Sequence, residues 1–544
     1  MSDRPTEDAQ EQSGASVPPV TRVLALTWPK IALAVVAGGM LFAAFPPVDL
    51  GPVAWFALIP FFFALTQVRP LGGGVLGAIF GFTFLGLYAA FMLDYGFIAW
   101  FASVGFQALF FALFGVVAAM VNKSGHPGLR ALATAGAWTL VEMFRGGIGG
   151  LGFTVGNLGY TQHDQLPLVQ AASMMGHFGI GFLIAFVNAA VAQAVLAIAP
   201  GVFIRPRLNP RWFASMAAKA ALASYIVALL VFIWGALVMR LGEEPGGEPI
   251  QVAAVQASLS DIEGTSVDRA DEAFEVYAAL SRTLPDDVQV IVWPETAIPV
   301  ALNLEQDYVQ RIADLAVEKS TWIITGAYKI IGSKVYNTLF VFSPEGEMTE
   351  SYSKYILVPF GESVPWSDRF PWLRKFALRS VDFSPGGGPK LLEFGAHAAG
   401  PLICFEAIFP HAVRANTVLG ADLIVIGTSD AWAADTWEIE QHSVTAPLRA
   451  AESNRYVIRA ASWGRSQIIA PDGEVLADVP VGEAGVAWDE IRPITELSTY
   501  HRFGDLPLQI LCGVLLWFGL LGLPRRPAEE QPEGRVSCSA RQNQ

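Results

Sequence analysis

Three short segments in the C-terminal half place ionisable side chains at the ends of apolar runs. In Gly400-Pro401-Leu402-Ile403-Cys404-Phe405-Glu406 an apolar run stops at a thiol, and a carboxylate follows two residues later. In Ile291-Val292-Trp293-Pro294-Glu295, Pro294 blocks continuation of a central strand, so Glu295 is expected just beyond the sheet edge. In the stretch from Tyr352 to Glu362, Lys354 stands in a fairly apolar loop with Glu362 eight residues on. Together these groups make a nucleophile site. A thiol at its ordinary pKa is only a few per cent thiolate at neutral pH. A carboxylate can take its proton, and a lysine can stabilise the thiolate and then the oxyanion of a tetrahedral intermediate. Glu362 would hold Lys354 charged and in place.

Each segment alone has a plainer reading. Glu295 could cap a helix, Lys354 could be an exposed loop lysine, and a free cysteine is usually a small buried hydrophobe. The other two of the three cysteines, Cys512 and Cys538, lie in or beyond the last apolar segment, so Cys404 has no obvious disulfide partner. Cys–His pairing is the commoner way to activate a thiol. His442, on an expected helix of the same region, therefore stays open as an alternative base beside its reading as a structural or substrate-facing residue. Nothing calls for a metal, since paired cysteines and closely spaced histidines are absent. No cofactor is expected.

The elements that must position these groups fall into two kinds. Of the 544 residues 53% are hydrophobic and 15% charged, with mean hydropathy +0.43. A soluble domain carries about 25% charged residues, so much of this chain belongs in a membrane. The formal net charge of -14 argues against nucleic acid as a partner. The polar stretch 1–27 reads as a disordered tail. Apolar spans follow at about 29–45, 51–67, 72–93, 97–121, 129–147, 168–199 and 214–239, with one more near 506–523. Seven helices over 28–240 and an eighth at 505–524 would form a polytopic α-helical bundle, with a tail at 525–544. Arg22, Lys30, Arg69, Lys123, Arg130, Arg205, Arg207, Arg211, Arg525 and Arg526 all fall on one side of the alternating spans. That side is therefore cytoplasmic, and the region after Met239 lies outside. In the fifth span Glu142 and Arg145, three apart, share a helix face and can pair. Near a helix end this reads as a structural pair.

From 245 to 502 the chain reads as a water-soluble α/β domain. Apolar runs at Ile250–Val255, Val288–Trp293, Thr321–Ala327, Asn337–Phe342, Leu402–Cys404, Leu423–Gly427, Tyr456–Ala460 and Gln467–Ile469 are expected strands. Val267–Arg282, Leu304–Lys319 and Glu438–Ser453 are expected helices, and Pro344-Glu345-Gly346 and Pro471-Asp472-Gly473 hairpin turns. A mixed sheet covered by helices follows.

Trp293-Pro294-Glu295, the Lys354 segment ending Leu357-Val358-Pro359-Phe360-Gly361-Glu362, and Ile403-Cys404-Phe405-Glu406 resemble the Glu–Lys–Cys motifs of the nitrilase superfamily of carbon–nitrogen hydrolases. Membrane spans before and after such a domain resemble one family within it, the apolipoprotein N-acyltransferases. So do Phe45-Pro46-Pro47, Glu142-Met143-Phe144-Arg145-Gly146, Gly159-Tyr160-Thr161-Gln162, Tyr336-Asn337-Thr338, Ser429-Asp430-Ala431-Trp432 and Arg502-Phe503-Gly504-Asp505. The resemblance implies a nitrilase-like α-β-β-α sandwich seated on eight membrane helices. It further implies that Cys404 takes an acyl chain from a phospholipid, typically the sn-1 chain of phosphatidylethanolamine, as a thioester. The chain then passes to the N-terminal amine of the diacylglyceryl-modified cysteine of an apolipoprotein. Glu295 would be general base and Lys354 would steady the tetrahedral intermediate. Glu362 and Glu406 would be supporting acids, Asn337 a helper, and Trp432 and Phe405 substrate-facing aromatics. The setting implied is a monomer spanning a bacterial inner membrane, its catalytic domain facing the periplasm.

Three departures bear on substrate preference: Phe405 where the family often has Tyr, Ala433-Ala434 where it has Phe-Gly, and Gly152-Phe153-Thr154 where it has Phe-Pro-Trp. Two other readings use the same chain. A membrane-tethered amidase would pass the acyl group to water. A scaffold or transporter with a dead outer domain would not need Glu295, Lys354 and Cys404 together.

Overall fold

The computed structural model describes residues 26–122, 125–198, 210–242, 247–259, 267–377, 382–433 and 436–522. The expected tails, apart from 26–27, lie outside these residues, as do Lys123, Arg205, Arg207 and Ala434.

The apolar spans are helices at Trp28–Ala43, Pro70–Tyr88, Phe97–Val121, Pro127–Gly147, Ala172–Ile198, Pro210–Leu241 and Leu506–Leu521. A broken helical stretch covers Gly51–Ala64. Among the described residues, four helices are long and apolar enough to cross a bilayer: Pro70–Tyr88, Phe97–Val121, Ala172–Ile198 and Arg211–Leu241. The 16-residue Trp28–Ala43 helix is about 24 Å long, short of a bilayer core of about 30 Å. The stretch at 51–64 is broken because Pro52 and Pro60 lack the N–H a continuous helix needs. Small residues let helices close on one another. A Cβ on Gly77 would lie 2.0 Å from the Phe111 carbonyl oxygen, and one on Gly115 2.0 Å from that of Gly73.

The Glu142–Arg145 pair expected from sequence is not formed as a direct ion pair. Each side chain instead takes hold of the loop that follows its helix. Glu142 Oε1 accepts from the Leu158 amide at 2.8 Å. Arg145 donates to the Val155 carbonyl at 3.1 Å and to Asn157 Oδ1. In a buried site those loop acceptors and donors compete successfully with the neighbouring charge three residues away.

The soluble part is two sheets face to face. The first runs β13-β1-β2-β4-β5-β6, with β3 alongside β4. Its strands are β1 (Ile250–Gln256), β2 (Val288–Val292), β3 (Ile298–Ala301), β4 (Trp322–Ile331), β5 (Lys334–Phe342), β6 (Met348–Ser353) and β13 (Gly485–Ile491). The second runs β12-β11-β10-β9-β8-β7. It comprises β7 (Leu392–Phe394), β8 (His397–Ile403), β9 (Leu423–Thr428), β10 (Val457–Ala461), β11 (Ser466–Ile469) and β12 (Val475–Val479).

Val252, Val290, Ile324 and Leu339 of one sheet meet Ile403, Val425, Ile458 and Ile468 of the other in a continuous core. Helices Val267–Arg282 and Gln306–Lys319 cover the outer face of the first sheet through Phe274, Tyr277 and Ile312. Helices Pro410–Leu419 and Thr445–Ser453 cover the second, through Val413 and Leu448. The result is an α-β-β-α sandwich. Its second helix layer shares one apolar core with the membrane helices, since Val413 and Leu448 cluster with Phe80, Tyr160 and Ile184. The expected single helix over Glu438–Ser453 is two, Glu438–Ser443 and Thr445–Ser453. Pro447 has no N–H to give the Ser443 carbonyl, so the ladder breaks there.

Candidate active site

The edges of the two facing sheets converge on one buried cluster. Trp293 extends β2 by one bond, its amide donating to the Ile324 carbonyl at 2.8 Å, and its ring stacks on Tyr277. Pro294 then ends the ladder and Glu295 turns inward. Gly326 makes room for this turn, because a Cβ there would lie 2.3 Å from the Pro294 carbonyl oxygen. Glu295 Oε1 accepts from Asn337 Nδ2 at 2.5 Å, and Oε2 from the Ser429 amide at 2.7 Å.

Lys354 follows β6. Its amide donates to the Asn337 carbonyl at 2.9 Å. Its ammonium lies 2.8 Å from Glu362 Oε1 and 3.5 Å from Glu295 Oε1. Lys354 is 1% exposed, which excludes the exposed-loop reading. Glu362 Oε2 accepts from the Val358 amide at 2.8 Å, so the carboxylate is fixed from its own loop.

Cys404 directly follows β8 and opens a short 3-10 helix, Cys404–Ile408. Its φ of 51° is left-handed, a conformation a non-glycine residue holds at a cost of about 1–2 kcal/mol. Glu406 braces this turn. It accepts from the Ile403 amide and the Tyr352 hydroxyl, both at 2.8 Å. It also accepts from the amides of Tyr355 at 2.8 Å and Ile356 at 3.1 Å. One carboxylate thus ties the Cys404 turn to the residues on either side of Lys354.

Burial works against the Lys354 ammonium, but Glu362 and Glu295 outweigh it and hold its pKa above the ordinary lysine value. Burial, and then the negative charge of Glu295, push the Cys404 thiol well above its usual range, with Lys354 pulling the other way. The Lys354 ammonium and the Glu295 carboxylate thus act on the sulfur in opposite senses. Burial pushes Glu406 up to about 7, opposed by its four hydrogen-bond donors.

His442 belongs to a second buried cluster, built around Asp430. Its Nδ1 faces Asp430 Oδ1 at 3.2 Å, and Arg459 donates to Asp430 Oδ2 at 2.8 Å. Burial opposes the Asp430 charge, yet Arg459 and His442 outweigh it and keep this carboxyl below the usual range. Thr428 donates to Asp430 Oδ1 at 3.0 Å, linking this second cluster to the end of β9.

Trp432 lies at the seam with the membrane helices. Its ring centroid is 6.2 Å from that of Phe91 and 6.1 Å from that of Tyr95, whose hydroxyl donates to the Trp432 carbonyl at 3.3 Å. Phe405 packs edge-on against Phe409 at 5.0 Å. Thus Glu295 contacts Asn337 and Lys354, Lys354 contacts Glu362, and Glu406 anchors the turn that carries Cys404. Phe405 adjoins that turn, and Trp432 stands at the seam.

The Ser429 amide and the Tyr352 hydroxyl are site components that the sequence reading did not single out. Ser429 directly follows a run ending at the same sheet edge as Cys404. Tyr352 lies on a polar edge strand with no such signal.

Residues 251–495 match the model of the carbon–nitrogen hydrolases, and residues 37–190 that of the apolipoprotein N-acyltransferase N-terminal domain. The chain is 31% identical over 494 residues to the apolipoprotein N-acyltransferase of Geobacter metallireducens, covering 87% of this chain and 91% of that one.

The chain belongs to the apolipoprotein N-acyltransferase family.

A second member of that family, from Pseudomonas putida, is 30% identical over 520 residues, covering 91% of this chain and 97% of its own. Among solved structures, the chain is similar to a nitrilase-superfamily amidase of Nesterenkonia AN1 (18% identity, TM-score 0.39, covering 49% of this chain and 99% of that one). It is also similar to a Saccharomyces cerevisiae member of branch 10 of the superfamily (19%, TM-score 0.36, covering 45% and 91%). As a member of the apolipoprotein N-acyltransferase family the protein is an acyltransferase. It joins the nitrilase-like sandwich described above to a helical membrane bundle.

Proposed function

We propose that the protein N-acylates lipid-modified apolipoproteins through a thioester on Cys404, with a membrane phospholipid as acyl donor. Glu295 takes the thiol proton as sulfur attacks the ester carbonyl, and Lys354 faces the oxyanion of the tetrahedral intermediate. The intermediate collapses, and the departing lysophospholipid oxygen recovers the proton from Glu295. The α-amine of the diacylglyceryl-modified N-terminal cysteine then attacks the thioester carbonyl. Glu295 takes a proton from that amine and passes it to the departing sulfur, so the amide forms and the free thiol is restored. Glu362 keeps Lys354 charged, and Asn337 holds Glu295 in line.

The observation that carries this reading is the buried contact of Lys354 with both Glu362 and Glu295, beside a raised thiol that needs a base. The seam favours a lipid donor over a small amide. Both substrates are lipid-anchored, and extracting a chain from the bilayer costs about 0.8 kcal/mol per CH₂, a cost that a site seated on membrane helices avoids. Phosphatidylethanolamine, by its sn-1 chain, is the proposed donor, and the enzyme acts as a monomer without a cofactor.

The sandwich faces the periplasm in this reading, and the division into tails, bundle 28–240, catalytic domain 245–502 and last helix 505–524 follows the change in composition. Tyr88 and Tyr95 touch the sandwich through Trp437 and Trp432. Arg69 lies at the other end of the Pro70–Tyr88 helix, on the side where Lys and Arg collect.

Purified Cys404→Ala protein, supplied with phospholipid and a diacylated lipopeptide, should transfer no acyl chain while remaining folded. Transfer by that variant would remove the mechanism.

A further inference from the structure

The nucleophile turn is held from the membrane side of the molecule. The carbonyl of Ile408, last residue of the Cys404–Ile408 turn, finds no donor within its own segment. The final carbonyls of any helix lack intrahelical partners, and Pro410, two residues on, has no N–H. Both donors come from the loop that follows the Pro127–Gly147 helix. Thr154 Oγ1 donates to the Ile408 carbonyl at 2.6 Å, and the Tyr160 hydroxyl lies 3.4 Å from the same oxygen. Thr154 and Tyr160 are both fully buried.

That loop is itself fixed. The Phe153 amide donates to the Arg145 carbonyl at 3.1 Å. Arg145 grips the Val155 carbonyl and Asn157, and Glu142 grips the Leu158 amide. Asn157 Nδ2 lies 3.1 Å from His177 Nε2, on whose ring Tyr160 stacks at 4.5 Å. From the sandwich, Arg449 donates to the Tyr160 hydroxyl at 3.2 Å, which frees the hydroxyl proton for Ile408.

We infer that Thr154 and Tyr160 are positioning residues for Cys404, through which the membrane bundle sets the geometry of the nucleophile turn. The left-handed Cys404 backbone is strained, so the turn holds its shape only while both ends are pinned. Glu406 pins one end from within the sandwich, and Thr154 with Tyr160 pins the other. The inference rests on the reading of Cys404 as nucleophile.

The test uses full-length enzyme in bilayers and measures acylation of Cys404 by phospholipid together with steady-state transfer to a diacylated lipopeptide. Thr154→Val keeps the shape and removes the donor. It should lower kcat and the acylation rate by about tenfold, since small misplacements of a reacting group are costly, with KM for either substrate unchanged. Thr154→Ser, which restores the hydroxyl, should recover most of the rate. Tyr160→Phe should slow acylation in the same way.

A Thr154→Val enzyme with wild-type acylation rate, or a Thr154→Ser enzyme as slow as Thr154→Val, overturns the inference. If Thr154→Val does not fold, the comparison of Tyr160→Phe with wild type decides, and an unchanged kcat for Tyr160→Phe overturns it. Absence of any acyl adduct on wild-type Cys404 overturns the reading of the nucleophile, and this inference falls with it.

Discussion

Lys354 Nζ donates to Glu362 Oε1 at 2.8 Å across eight residues of one loop, with both side chains buried. A buried ammonium needs compensation, and Glu362 supplies it. Glu295 Oε1 lies 3.5 Å from the same ammonium. Lys354→Met should reduce the rate of Cys404 acylation by about 10²–10³-fold, the scale of losing one preorganised oxyanion donor. Glu362→Gln, which keeps an acceptor but removes the charge, should cost less. Single-turnover release of lysophospholipid measures both, and an unchanged rate in Lys354→Met would take that residue out of the site.

Cys404→Ser should be nearly as inactive as Cys404→Ala. A hydroxyl is a far weaker nucleophile than a thiol unless a stronger base activates it. Steady-state transfer should fall by at least about 10³-fold. Retention of substantial activity by the serine enzyme would argue for a different nucleophile.

The pH dependence of thiol reactivity reports the electrostatics directly. Burial and Glu295 raise the Cys404 thiol, so its alkylation by iodoacetamide should climb steadily with pH and show no plateau below pH 9. Lys354 is the group that lowers it. Removing that charge in Lys354→Met should raise the thiol further, so alkylation at any fixed pH becomes slower. Faster alkylation in Lys354→Met would contradict the assigned contact.

Glu406 accepts four hydrogen bonds that join the Cys404 turn to the Lys354 segment. Glu406→Gln points an amide at donors it cannot satisfy. Each orphaned buried group costs about 1–3 kcal/mol, so the protein should lose about 3 kcal/mol of stability and most of its activity together. Thermal unfolding and transfer assays on the same preparation test this, and a stable, inactive Glu406→Gln enzyme would point to direct contact with substrate instead.

The parallel centre of each sheet is legible in the sequence because those strands are buried on both faces and read as apolar runs. β1, β2, β4, β8, β9 and β10 fall where such runs end in Glu295 or Cys404 or lie beside them. The edge strands β6, β12 and β13 leave most of their residues exposed or half-buried and carry no comparable run, so they are invisible to the same reading. The break at Val444 follows from Pro447 once the hydrogen-bond ladder is considered. The separation of Glu142 from Arg145 does not follow from spacing, because their partners belong to a loop whose path only tertiary packing decides. Glu295, Lys354 and Cys404 stand out by residue type at strand ends. The Tyr352 hydroxyl and the Ser429 amide do not, being ordinary groups made useful by position.

The most direct test is mass spectrometry of the Cys404 peptide after the wild-type enzyme is incubated with phospholipid and no acceptor. An added acyl chain is expected on that peptide, lost on addition of a diacylated lipopeptide that gains the same mass. An unmodified Cys404 peptide, with acyl transfer to the lipopeptide still observed, would contradict it.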